Sequence, residues 1–192
     1  MKIPLRFQIT EFDCGTVALQ NAISYLFDRE NVPAELVRAI YIYTVNCYDE
    51  KGNICEGGTR RQTMIMMTKW IHEFANKYNF GINCVRLVDY KVSIREIRKC
   101  INLDGCVLLR TYQNGQEHFV IITDIDDDFV YMWDSYYLGE TYYDREKRIS
   151  IIFNKPFNYN RKVSMSRFLD EEEKDFALGP FEKRECLLFN KK

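Results

Sequence analysis

The sequence predicts an α+β fold in which N-terminal helices pack on a C-terminal antiparallel sheet. Three observations predict it: helical apolar periodicity fills most of 1–80, strand patterns broken by turn residues fill most of 81–192, and no repeat, linker or low-complexity tract intervenes. At 192 residues the chain reads as one domain over 1–192, long enough to bury a core without disulfides or metals as staples.

The first helix is expected from Asp13 to about Phe27, where Ala18, Ala22, Leu26 and Leu19, Ile23, Phe27 recur every fourth position and make one broad apolar stripe. Asp13 is placed to cap it. A second helix follows from "NVPAELVRAIYIY", with Pro33 in its first turn. A third runs from about Thr63 to Tyr78, with Met67, Trp70, Ile71, Phe74 and Tyr78 along one side. Between them lies a glycine-bearing loop, "TVNCYDEKGNICEGGTRRQ".

After Gly81 the period changes. "INCVRLV" reads as a strand, and Ser93 with Glu96 forms a capping box that opens a short helix ending near Asn102. "CVLLRTY" and "HFVIITDI" flank Asn114-Gly115, the preferred pair for a two-residue hairpin turn. A second hairpin joins "HFVIITDI" to "FVYMWDS" through Asp126, Asp127 and Asp128. "RISIIFN" adds a strand, "MSRFLDEEEKDF" a helix with a polar face, and "ECLLFNK" a final strand.

Composition narrows the function classes. Lys+Arg 27 against Asp+Glu 28 leaves a net charge of -1, so no global basic field recruits nucleic acid. No apolar run approaches the roughly 18 residues of a membrane span, and "MKIPLRFQIT" lacks the apolar stretch of a secretory signal, so the protein reads as cytoplasmic. The seven cysteines are scattered without paired-ligand spacing; reduced thiols are the expectation, with no metal and no cofactor. Cys47 and Cys55 flank "YDEKGNI" and read as two thiols of a long insertion rather than a bridge or a metal site.

One cysteine stands apart. Cys14 falls at the first turn of a helix, where unpaired backbone N–H groups and the positive end of the dipole favour a thiolate. Gly15 removes a side chain where a substrate backbone would approach. Gln8 is positioned to offer a side-chain N–H to an oxyanion, with the Cys14 backbone N–H as second donor. A thiolate nucleophile needs a proton carrier, and there are two histidines. His72 lies inside the third helix and reads as structural or solvent-facing, which leaves His118 at the start of a strand. If Asp126–Asp128 make a three-residue loop, Ile125 pairs with Phe129, His118 faces Tyr136, and Asp134 lies diagonally across on the same face, within reach to orient an imidazole.

Gln8, Asp13-Cys14-Gly15, "HFVII" at His118, and Asp134 sixteen residues later together resemble the papain-like bacteriocin-processing peptidases that cut after a double glycine in leader peptides. The likeness covers nearly the whole chain: "GGTRRQTMIMMTKW" is similar to the family's Gly-Thr approach to a helix, and "MSRFLDEEE" with "ECLLFNK" to its closing helix and strand. The resemblance implies a papain-like fold with Gln8 as oxyanion donor, Cys14 as nucleophile, His118 as base and then acid, and Asp134 as the orienting residue. The chain departs from the family at Ser135, where Pro is frequent, in a longer loop from about Thr44 to Gln62, and in carrying no fused transporter. Gly57-Gly58 reads as a flexible lead into the third helix rather than a self-cleavage point.

The expected activity is a thiol hydrolase that cleaves a peptide or small amide or thioester through an acyl-Cys14 intermediate. Two alternatives keep the same residues: an acyltransferase of transglutaminase type that passes the acyl group to an amine, and a peptide-binding module without turnover.

Overall fold

The computed structural model describes residues 1–45, 51–53 and 58–192. Cys47, Cys55 and Gly57 lie outside the described residues, and with them the readings of the loop thiols and of the Gly57-Gly58 pair. In chain order come α1 (Cys14–Leu26), α2 (Ala34–Thr44), α3 (Arg61–Tyr78), β1 (Ile82–Val88), α4 (Ile94–Ile101), β2 (Cys106–Gln113), β3 (Gln116–Ile125), β4 (Phe129–Asp134), β5 (Ile149–Ile151), β6 (Arg161–Ser164), α5 (Met165–Phe168) and β7 (Glu185–Lys191). The strands form one sheet in the order β1-β7-β2-β3-β4-β6-β5, every neighbouring pair antiparallel, and the architecture is α+β. Among the described residues no helix is long and apolar enough to cross a membrane.

The sheet separates two cores because successive strand residues point to opposite faces. Leu108, Phe119, Ile121 and Leu187 meet Leu19, Ala22 and Ile23 of α1, with Leu36 and Met67 behind them. On the other face Leu109, Val120, Ile122 and Cys186 are covered by Ile97 of α4 and by Phe168, Phe176 and Leu178. Each such fully buried aliphatic or aromatic side chain stabilises by about 1.5–3 kcal/mol relative to exposure. Packed between the sheet and α2, α1 is buried on most sides, and even its polar Thr16 is satisfied, by a 2.8 Å hydrogen bond to Thr44 Oγ1.

Local chemistry sets the boundaries, in places against expectation. Ser93 caps α4 as foreseen, its Oγ accepting from Glu96 N at 3.4 Å. Asp13 does not cap α1: its carboxylate accepts from Thr10 N at 3.3 Å instead, so no side chain occupies the first-turn amides. The closing helix stops at Phe168 rather than running to Phe176. A helix through "DEEEKD" would have no apolar face to bury, so the chain turns at Asp170, whose Oδ1 accepts from Glu172 N at 3.0 Å, and drops Phe176, Ala177 and Leu178 into the core.

The hairpin that matters most is β3–β4. Asp126 N donates to Phe129 O at 3.0 Å and Ile125 pairs with Val130, so the tip is one residue shorter than the three-residue loop expected. A β-bulge then intervenes: Ile122 pairs with Met132 but Asp124 with Tyr131, leaving Thr123 as the extra residue. Beyond it Val120 pairs with Asp134, and two residues further His118 is level with Tyr136, the register expected for a different reason. A regular ladder from this tip would pair Ile121 with Asp134 and throw His118 onto the opposite face.

Candidate active site

Cys14 is the first residue of α1 and is buried where that helix meets the start of β3. Gly15 behind it serves packing rather than substrate approach: a Cβ there would come within 2.4 Å of the Thr59 side chain, so the glycine lets the segment leading into α3 close against α1.

The bulge brings the imidazole to an acid. His118 Nε2 lies 2.7 Å from Asp134 Oδ1, and the remaining ring nitrogen is left for Cys14, whose thiol is within hydrogen-bond reach of the ring. Both His118 and Asp134 are buried. Burial alone would lower the His118 pKa, but the Asp134 charge, its hydrogen bond and the Cys14 sulfur outweigh that and push it up to about 10. Burial would likewise raise Asp134, yet its carboxyl is held below the usual range by His118, by Arg161 and by the Tyr136 amide.

Asp134 is itself caged. Arg161 Nη2 donates to Asp134 Oδ2 at 3.0 Å and to Tyr136 O at 2.7 Å, and Gln113 Nε2 reaches the same carboxylate oxygen at 3.4 Å. Tyr136 N donates to Oδ1 at 2.8 Å. Asn160 completes the cage by bonding the main chain of Asp134. The Arg161 side chain is 1% exposed, so this is a buried ion pair in which both carboxylate oxygens are engaged while Arg161 Nε is left without a partner.

A cleft of about 450 Å³ opens onto these groups, lined by Cys14 and His118 together with Glu11, Gln113, Glu117 and Tyr136. Glu117 is held by Arg110 at 2.5 Å, and Arg110 lies 3.9 Å from Glu185, which also pairs with Arg61 at the start of α3. Gln8 sits beside the cleft without lining it. Its Nε2 donates to Thr10 O at 2.9 Å, its Oε1 accepts from Ser135 Oγ at 2.7 Å, and its backbone N bonds Ser135 O at 2.9 Å. Three of the four residues singled out by sequence thus converge, and the fourth is adjacent with its amide engaged in its own loop.

The chain is similar to a protease and to a peptidase among solved structures. One is a double glycine motif protease from an AMS/PCAT transporter, in complex with the leader peptide; it is 12% identical, with 100% of this chain and 93% of that chain covered and a TM-score of 0.44. Another is a C39-like peptidase from Bacillus anthracis, 15% identical, with 99% and 96% covered and a TM-score of 0.48. No protein-family model and no curated protein matches the chain.

His72 is exposed on α3, away from this site. Among the described residues no group of three or more His, Cys, Asp or Glu side chains could hold a metal ion. Sequence reasoning missed Arg161, Asn160 and Gln113. The signal that could have found Arg161 is weak: it lies in "NYNRKVS", a four-residue strand after a polar loop, where an arginine reads as solvated.

Proposed function

We propose that the protein is a cysteine-dependent hydrolase of peptide bonds. The observation that carries the reading is the convergence of Cys14 and His118 on one open cleft, with the buried Asp134 bonded to the imidazole behind it. A thiol at a helix start, an imidazole with one nitrogen on a buried carboxylate and the other toward the sulfur, and a channel to solvent are the parts that acyl transfer to sulfur requires.

In this reading the Cys14 sulfur, as thiolate paired with the His118 imidazolium, adds to the carbonyl carbon of the scissile amide. The oxyanion is met by the Cys14 backbone N–H and by Gln8, whose amide exchanges the Thr10 carbonyl for the developing charge. His118 gives its proton to the departing nitrogen, the C–N bond breaks, and a thioester on Cys14 remains. Water then adds to the thioester, His118 takes its proton, and release of the carboxylate restores the starting pair. Asp134 keeps the ring oriented throughout and stabilises its charged form. Peptides are the substrates this reading expects, reaching Cys14 through a cleft that opens at the surface.

The test is a thiol-directed probe read by intact mass, together with a peptide library read for new termini. Expected are one label per chain, lost in Cys14→Ala and weakened in His118→Ala, and new carboxyl termini that appear with the native protein alone. Labelling of Cys14 no faster than of the other cysteines, with no new termini, would overturn the proposal.

A further inference from the structure

A second cavity lies beside α1, bounded by α1, α2 and the N-terminal segment. It measures about 180 Å³, about six times the 30 Å³ that a liquid water occupies. Its walls include Ile3, Ile23 and Ile40, and its polar lining includes Arg6, Arg29 and Gln20.

Three features of that lining point the same way. Gln20 is 8% exposed, and its Nε2 is buried without an acceptor, on a helix where such a donor is costly to retain. Arg6 is tied to the fold by its backbone, with Arg6 N on Asn21 Oδ1 at 2.8 Å, while among the described residues its guanidinium pairs with no acid. Arg29 is flanked by Asp28 and Glu30, but both of these face the Met1 ammonium. Two cations and one orphaned amide therefore surround a pocket whose walls are aliphatic.

From this we infer that the cavity between α1, α2 and the N-terminal segment binds a small aliphatic carboxylate, its charge on Arg6 and Arg29 and its apolar body on Ile3, Ile23 and Ile40. A carboxylate accepts from guanidinium groups, and charge-assisted bonds of this kind are the strong ones. A phosphate would bring more charge and no group for the aliphatic walls. The carboxylate can belong to a free acid or to the end of a peptide whose last residue is aliphatic; the chemistry recognised is the same. The site is independent of the cleft at Cys14, although α1 carries both Cys14 and Gln20, and the segment that carries Arg6 continues to Gln8.

Calorimetric titration of the intact protein with hexanoate, hexanamide, inorganic phosphate and a tetrapeptide ending in leucine tests this. Saturable binding of hexanoate is expected, about tenfold tighter than hexanamide, and weakening as salt is raised. The exposed double variant Arg6→Gln/Arg29→Gln should weaken it by about tenfold. Tighter binding of the tetrapeptide than of hexanoate assigns the carboxylate to a peptide end, and the reverse order to a free acid; either supports the site. Equal binding of hexanoate and hexanamide, affinity unchanged in the double variant, phosphate displacing hexanoate at equal concentration, or no saturable binding would each overturn it. Peptidase activity does not enter the readout, so failure here leaves the reading of Cys14 untouched.

Discussion

Asn160 grips Asp134 by its main chain: Asp134 N donates to Asn160 Oδ1 and Asn160 Nδ2 donates to Asp134 O, both at 2.7 Å. The side chain thus replaces a missing strand partner at the point where β4 ends, and its own backbone N bonds Met132 O at 3.0 Å. Asn160→Ala leaves two buried backbone groups unpaired, each costing about 1–3 kcal/mol. Chemical denaturation should show that loss, and the rate of Cys14 labelling should fall with it because Asp134 is no longer held toward His118.

Removing Arg161 should cost more. Arg161→Gln strips the buried Asp134 of a charged partner, and breaking one side of a buried pair typically costs about 3–5 kcal/mol. The sign with pH follows from Asp134, whose pKa is lowered in the fold. Its contribution is present above the unfolded carboxyl value of about 3.9 and is lost as pH falls. Acid unfolding of Arg161→Gln, followed by circular dichroism, should begin at higher pH than in the native chain; an unchanged acid midpoint would reject the coupling.

His118 governs the alkaline side. Its folded pKa is raised to about 10, so the stability it contributes is fully present below the unfolded value of about 6.5 and is lost as pH rises through about 10. The activity profile should fall on the alkaline side, as His118 gives up its proton. In Asp134→Asn the opposing charge is gone, and the alkaline limb should move down by about 1–3 units. An unmoved limb would remove Asp134 from the orienting role.

Gly15→Ala should be felt through Thr59. With a Cβ 2.4 Å from that side chain, overpacking of about 1–3 kcal/mol is expected as a lowered melting temperature. Thr59→Gly should recover most of it in the double variant, a coupling that a double-mutant cycle measures directly. Additive losses would show that Gly15 is needed for another reason.

The oxyanion role proposed for Gln8 rests on its Nε2, which in the fold bonds Thr10 O. Gln8→Glu keeps the acceptor for Ser135 Oγ but removes the N–H and its bond to Thr10 O, and kcat should drop by about 100-fold in a chain that still folds, at some cost in stability. Equal activity of the two proteins would assign Gln8 to the packing of its loop alone.

Much of this architecture was legible because its signals are local. The strand over Ile82–Val88, the Ser93 cap and the Asn114-Gly115 turn, with φ of 50° and 74°, follow from alternation, capping and the tolerance of those two residues for left-handed backbone. What escaped is decided at a distance. The closing helix fails because Phe176 finds a place in the core, which no window over "DEEEKD" reveals. β6 has four residues and gains its place by pairing with β4, so nothing in "RKVS" announces it, and the Arg161 it carries is read as solvated until Asp134 is found beside it. The juxtaposition of His118 with Asp134 was reached with the wrong tip, since a shorter turn and an extra Thr123 cancel.

That cancellation insulates the chemistry from the hairpin's end. The rungs at 124–125 with 130–131 and those at 120–122 with 132–134 are two ladders separated by a one-residue slip, so lengthening at Asp127–Asp128 can be absorbed outside the slip. The tip is thus a natural place to graft a reporter or an affinity tag. One residue added between His118 and Ile122 would instead reverse the parity of the inner rungs and aim the imidazole away from its carboxylate.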